Sequence, residues 1–222
     1  MSQALVVFSG GQDSTTLLYW ALKNYSQVDA ITFDYGQRHR VELECAKNLC
    51  VKLGVPQQLV SLDFLADFTP NALTHSHIEI RAQGALKDLP STFVPGRNAL
   101  FLTLAAAAAV AKGYSEIVIG VCQTDYSGYP DCRQDFIESM QQSLSLAMGQ
   151  NILIRTPLMS LTKAETFQLA KDLGVLESVI EDSHTCYAGN RKDRHPWGYG
   201  CGTCPACDLR EKGYRAFLAR PI

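Results

Sequence analysis

Ala4-Leu5-Val6-Val7-Phe8-Ser9-Gly10-Gly11-Gln12-Asp13-Ser14-Thr15-Thr16-Leu17-Leu18 decides the fold. Residues 4–8 form an uninterrupted apolar run, as in a strand covered on both faces. Two glycines break the run, and a stretch long enough for a helix follows over residues 14–24. Gly10 and Gly11 permit positive φ and a close backbone approach to a ligand. Their amides, with those of a helix starting near Asp13, can face an anion. Ser9, Ser14 and Thr15 add hydroxyl donors. The stretch lacks the lysine of GxxxxGK[ST], and it is not GxGxxG. Asp13 is placed either to help hold Mg²⁺ beside a phosphate or to cap the helix. Taken alone, the glycines also fit a plain strand-to-helix turn.

Outward from this stretch, short β-rich runs at 28–34, 58–63, 116–121 and 152–156 alternate with helix-length segments at 41–53, 98–112, 133–148 and 163–173. Such alternation predicts a three-layer α/β sandwich on a parallel sheet. Ligands of such sheets sit beyond the carboxyl ends of the strands. The alanine-rich segment at 99–111 reads as a helix lying close on the sheet. It is shorter than the ~20 residues of a membrane span. Residues 64–95 are irregular and read as an inserted lobe or flap. After Asp182 the composition shifts to Gly, Cys, His and Pro, with seven Lys/Arg against three Asp/Glu from His184 onward. This predicts a main α/β unit over 1–182 and a small cysteine-rich unit over 183–222.

The 222 residues suit one domain with or without an appendage. A net charge of −2 implies no strong general attraction to nucleic acid or to a membrane. The N-terminus has neither a basic segment nor a cleavable apolar region and reads as a first strand, which predicts a cytoplasmic protein. In a reducing compartment, Cys186, Cys201, Cys204 and Cys207 point to metal rather than disulfides. The last three form two overlapping CxxC knuckles, and four thiolates suit tetrahedral, structural Zn²⁺. His184 and His195 stand close enough in sequence to replace Cys186. Cys45 and Cys50 read as small core residues, whereas Cys122 and Cys132 fall in a polar loop.

Polar groups gather at the expected strand ends and helix starts. Tyr35, Arg38 and His39 follow the second strand, and Arg97 follows a Pro-Gly turn. Asp125, Tyr126, Tyr129, Asp131 and Arg133 follow the fourth strand, where tyrosines can pack on a planar heterocycle and carboxylates can accept from ring N–H groups. Arg97 and Lys163 both stand at helix starts, where a cation is disfavoured by the dipole; a bound anion would explain them. Thr162 and Glu165 also fit a capping box.

Ser9-Gly10-Gly11-Gln12-Asp13-Ser14-Thr15-Thr16 resembles the signature of the PP-loop ATP pyrophosphatases. That resemblance implies a five-stranded parallel sheet, of the adenine nucleotide hydrolase-like kind, and an adenylated intermediate. With FDYGQRH (33–39), VPGRN (94–98), GYPDCR (128–133), LTKAE (161–165) and the closing HTCY and CGTCPAC, nearly the whole chain resembles the 7-cyano-7-deazaguanine synthase family. The resemblance implies an ATP-dependent C–N ligase of queuosine biosynthesis. Its substrates would be 7-carboxy-7-deazaguanine, ammonia and ATP with Mg²⁺, and an amide would be an intermediate. It also implies a homodimer with no direct nucleic-acid partner and one structural zinc per subunit on Cys186, Cys201, Cys204 and Cys207. By motif, ATP falls to Phe8, Ser9, Gly10, Gly11, Gln12, Asp13, Ser14, Thr15, Thr16, Leu17, Leu18 and Arg38. The base falls to Tyr126, Tyr129, Asp131 and Arg133, and catalysis to Asp13, Lys163 and Arg97. Two departures stand out. The gap between Cys186 and Cys201 is longer than the family pattern and carries Arg191, Lys192, Arg194 and His195. Cys122 stands where a small polar residue is expected. A tRNA-thiolating enzyme using Cys122 and Cys132 is the nearest rival reading, and a zinc-knuckle nucleic-acid module is a more distant one.

Overall fold

The structure, a computed structural model, describes residues 2–38, 40–81, 89–123 and 128–220. Five parallel strands form the sheet: β1 (Gln3–Val7), β2 (Gln27–Asp34), β3 (Gln57–Ser61), β4 (Glu116–Ile119) and β5 (Leu153–Arg155), in the order β3-β2-β1-β4-β5. The helices are α1 (Gln12–Asn24), α2 (Val41–Leu53), α3 (Phe64–Phe68), α4 (Arg97–Ala111), α5 (Gln134–Met148), α6 (Lys163–Asp172), α7 (Leu176–Asp182) and α8 (Pro205–Leu218). A two-residue hairpin, β6 (Arg194–His195) with β7 (Gly198–Tyr199), lies in the cysteine-rich segment.

The alternation of side chains along a strand makes the three layers. Leu5 and Val7 of β1 face α4 and α5, with Leu102, Ala105, Ala106, Ala109, Ile137 and Leu144. Ala4, Val6 and Phe8 face α1 and α2, with Leu17, Leu18, Ala46 and Leu49. Ala105, Ala106 and Ala109 of α4 are fully buried, so this face of the helix sits close on the sheet, as the composition predicts. Cys45 and Cys50 are buried on α2.

Strands β3 and β4 end two residues earlier than their apolar runs: Gly120 and Val121 after Ile119 leave the ladder to line the cleft, whereas Leu62 after Ser61 turns into the core. The expectation that every strand is covered on both faces fails at β3. It is an edge strand, and its Leu59 is 61% exposed. The segment after α7 is more helical than its composition suggests. Cys204 is the N-cap of α8 and Pro205 its first residue, where proline is well tolerated. Phe167 of α6, Ile180 of α7 and Phe217 of α8 bury a further small core. Among the described residues no helix is long and apolar enough to cross a membrane.

Candidate active site

Strand order reverses direction between β1 and β4. At such a switch point the loops after the two strands diverge and leave a crevice. Here the crevice is a cleft of about 340 Å³, within the ~300–1,000 Å³ of small-molecule sites. Its walls come from the loop after β1, the turn after β2, the start of α4, Gly120 to Cys122 after β4, and the segment from His184 to Tyr187.

The glycine loop folds back on itself. Ser9 N–H donates to Ser14 Oγ at 3.3 Å, Gly11 N–H donates to Ser9 Oγ at 3.3 Å, and Ser14 Oγ donates to Gly11 O at 3.2 Å. Gly10 has φ of 87°, whereas Gly11 has φ of −75° and is the N-cap of α1. The expectation of left-handed freedom thus holds for Gly10 and fails for Gly11. Asp13 is not the cap, since α1 already starts at Gln12. Its Oδ2 instead pairs with Lys163 Nζ at 2.6 Å, and its buried Oδ1 lacks a hydrogen-bond partner. Lys163 reaches the loop from the first turn of α6. There Thr162 and Glu165 make the predicted capping box: Glu165 N–H donates to Thr162 Oγ1 at 3.3 Å, and Thr162 N–H donates to Glu165 Oε2 at 2.7 Å.

Opposite the loop stands an aromatic and cationic wall. The Arg97 guanidinium lies 5.7 Å from the Tyr35 ring centre and 5.8 Å from that of Tyr129, within cation–π range. Burial works against its charge, but Tyr35, Tyr129 and Asp131 outweigh this and hold its pKa above the usual range. Tyr129 is fixed through its hydroxyl, 2.6 Å from Thr92 Oγ1. Asp131 does not line the cleft. Its Oδ2 accepts the Asn98 N–H at 3.1 Å, and its carbonyl accepts the Asn98 side-chain amide at 3.0 Å, so it anchors the start of α4. Arg133 is exposed and also lies off the cleft wall. Tyr126, Asp125 and His39 lie outside the described residues. Arg38 lines the cleft and donates to Ala72 O at 3.1 Å. Phe8, Ser9, Gly11, Gln12, Asp13 and Ser14 line it too, whereas Thr15, Thr16, Leu17 and Leu18 lie beneath the loop in the core. Cys122 and Cys132 both line the cleft. The Cys122 thiol donates to Leu161 O at 2.9 Å.

Sequence reading did not single out Glu42 or Arg210, and it offered His184 only as a substitute metal ligand. Glu42, from the first turn of α2, reaches over the loop towards Ser9, and burial raises its carboxyl pKa to about 7 against the lowering influence of Ser9 and Arg97. His184 is 2% exposed, with neither ring nitrogen partnered, and both polar side-chain atoms of Gln12 are buried without a partner. Arg210 of α8 is 1% exposed. It donates to Trp197 O at 2.8 Å, to Val179 O at 3.1 Å and to Thr185 Oγ1 at 3.1 Å. The only signal for Glu42 was its place just after a strand's carboxyl edge.

The four predicted cysteines converge, their Sγ atoms all within 4.8 Å of one another. Sulfurs bound at ~2.3 Å to one tetrahedral Zn²⁺ would stand a little under 4 Å apart, and Cys201 Sγ is 4.0 Å from Cys207 Sγ. Backbone N–H groups point at the sulfurs, from Ala188 and Cys201 to Cys186 at 3.4 Å and from Cys204 to Cys201 at 3.3 Å. Neither histidine is needed as a ligand: His195 bonds Gly200 O at 3.0 Å and stacks on Trp197. The cluster adjoins the cleft, since His184 N–H donates to Gly10 O at 3.0 Å and Gln12 N–H donates to Thr185 Oγ1 at 3.4 Å.

A parallel five-stranded sheet with a serine-glycine loop at its switch point defines an α/β protein of the PP-loop kind. Its backbone is similar to that of a 4-thiouridine synthetase solved in an RNA complex with bound ATP, with a TM-score of 0.52 and 19% identity over 99% of this chain and 54% of that one. The family model described as queuosine biosynthesis protein QueC matches residues 3–218. A 7-cyano-7-deazaguanine synthase of Wolinella succinogenes is 50% identical over 98% of this chain and 94% of its own length. One of Helicobacter pylori is 50% identical over 99% of both chains. One of Nitratidesulfovibrio vulgaris is 48% identical over 97% of this chain and 93% of its own. The chain belongs to the QueC family of queuosine biosynthesis proteins.

Proposed function

We propose that this chain is an ATP-dependent ligase that converts 7-carboxy-7-deazaguanine and ammonia into 7-cyano-7-deazaguanine. The observation that carries the reading is one cleft with two unlike walls. The loop Ser9–Ser14 and Lys163 suit phosphates; Tyr35, Arg97 and Tyr129 suit a planar anionic heterocycle.

A carboxylate is a poor electrophile because its leaving group would be oxide. Attack of its oxygen on the α-phosphorus of ATP expels pyrophosphate and leaves an acyl-adenylate with a good leaving group. Ammonia then displaces AMP to give the amide. A second activation, on the amide oxygen, lets that oxygen depart with AMP and closes the nitrile. Both activations occur on the same carbon, so one cleft serves both. Lys163, held by Asp13, would offset charge on the phosphates, and Arg97 would hold the carboxylated base. Asp13 Oδ1 is a carboxylate oxygen suited to Mg²⁺, which when bound neutralises phosphate charge. Tyr129 would stack on the base, while Asp131 acts through Asn98 by fixing the turn that presents Arg97.

Cys186, Cys201, Cys204 and Cys207 would hold one Zn²⁺ in a closed, structural site. A net charge of −2 favours a free nucleobase over tRNA as substrate. We place the enzyme in the cytoplasm as a homodimer, which sedimentation would check. The direct test supplies purified protein with the carboxylated base, ammonium and Mg·ATP. The expected product has the mass and infrared stretch of the nitrile, with pyrophosphate released. No turnover of this base under any metal condition would sink the reading.

A further inference from the structure

The reaction sets a proton problem. Nitrogen enters a neutral solution mainly as ammonium and leaves as a nitrile, so all four N–H protons must be removed. Among the described residues lining the cleft, carboxyl groups belong to Asp13 and Glu42. Asp13 is committed to Lys163 at 2.6 Å. Among the described residues, no basic group stands within ion-pair distance of Glu42. Its Oε1 stands 3.2 Å from where a Cβ on Gly11 would be, so the carboxyl hangs directly over the phosphate loop.

We propose that the Glu42 carboxylate binds ammonium in this cleft and accepts the protons that leave nitrogen as the C–N bond forms and the nitrile closes. The inference rests on the ligase reading above. One ammonium proton passes to Glu42, and the freed lone pair bonds to the adenylated carbonyl carbon. The acyl C–O bond breaks with its electron pair going to AMP, and nitrogen sheds a second proton. In the second round the amide oxygen attacks another ATP and pyrophosphate leaves. The C–O bond then breaks, again with its pair going to AMP, while the last two N–H protons depart. Glu42 returns each proton to water at the cleft mouth.

The surroundings suit this task. The titratable and charged groups facing Glu42 are Ser9 after β1, Tyr35 after β2, Arg97 at the start of α4 and Cys45 on its own helix. Burial raises the carboxyl pKa to about 7, with Ser9 and Arg97 pulling it back down. A base matched to the working pH combines availability with proton affinity. Below that value the carboxyl is protonated and can accept nothing. The nitrogen-dependent rate therefore rises with pH through about 7 and levels off above it.

The experiment separates two half-reactions. Exchange of labelled pyrophosphate into ATP, dependent on the carboxylated base, needs no ammonia; nitrile formation does. Glu42→Gln is expected to lower nitrile formation from ammonium at neutral pH by about 10²-fold while lowering exchange far less. It should also abolish the pH limb and regain rate in alkaline buffer, where free ammonia supplies its own lone pair. Glu42→Asp should keep the limb at reduced rate, and it carries the test should Glu42→Gln not fold. Equal loss of both half-reactions with an unchanged melting temperature would make Glu42 a positioning residue for Ser9 and overturn the proposal, as would an unchanged ammonium dependence. Absence of base-dependent exchange in the unaltered enzyme would instead defeat the ligase reading itself.

Discussion

Gly10 is confined to glycine twice over. Its φ of 87° lies in the left-handed region, and a Cβ there would stand 2.3 Å from Glu42 O and 2.8 Å from Ala46 N. Both obstacles are backbone atoms of α2, which cannot swing aside. Gly10→Ala should therefore lift the loop off α2, costing about 1–3 kcal/mol of stability, and weaken ATP binding. Thermal melting and nucleotide titration would check the two effects. An unaltered affinity would mean that the loop does not hold phosphate. The glycine pair was legible in sequence because it interrupts an apolar run. The different φ values of the two were not, because the backbone of α2 crowds Gly10 whereas only the Glu42 side chain of that helix reaches Gly11. Asp13 was misread as a possible cap for a similar reason, since its partner Lys163 stands 150 residues away.

At the scale of elements, α6 and α8 pack so closely that Lys163 runs over Gly213. A Cβ on Gly213 would lie 2.5 Å from Lys163 Cγ and 2.6 Å from its Cβ. Glycine in a helix interior ordinarily weakens it by about 1 kcal/mol relative to alanine. Here the order should reverse. Gly213→Ala is expected to destabilise by about 1–3 kcal/mol and to displace the ammonium of Lys163 from Asp13, lowering ATP turnover more than binding of the base. Steady-state kinetics with each substrate varied would read this out; a stabilised variant with full activity would refute it. Helix α6 announced itself through Thr162 and Glu165. Helix α8 did not, although Ala206, Arg210, Gly213 and Phe217 repeat at helical spacing. The cysteines and basic residues around them set the reading on a small metal-binding unit, with no element assigned within it. The ends of β3 and β4 were overrun because apolar residues continue past the ladder, Leu62 into the core and Val121 into the cleft wall.

For the molecule as a whole, the cysteine cluster and the phosphate loop are one mechanical unit. Arg210 ties α8 to Val179, Trp197 and Thr185; Thr185 meets Gln12, and His184 meets Gly10. Chelation of a metal held by the four cysteines should accordingly lower the melting temperature and also weaken ATP binding. A structural zinc site contributes folding free energy directly. Melting curves and nucleotide titrations with and without chelator would check both, and loss of stability with unchanged ATP affinity would show the two ends uncoupled. The cysteines and the loop could each be found in sequence, since each is a local pattern. Glu42 and Arg210 could not, and His184 was found only as a substitute metal ligand, because their meaning comes from the face each turns to a loop made elsewhere.

The hydrogen bond from His184 to Gly10 has a consequence for how the protein comes into being. Translation delivers Gly10 well before His184, which lies far downstream in the chain. The strand, loop and first helix can assemble early, as N-terminal portions do during synthesis. The clasp that fastens the loop cannot close until His184 has left the ribosome. A nascent polypeptide that stops short of His184 therefore carries an unfastened loop and has little hold on ATP, and competence to spend it arrives only once that segment has been made.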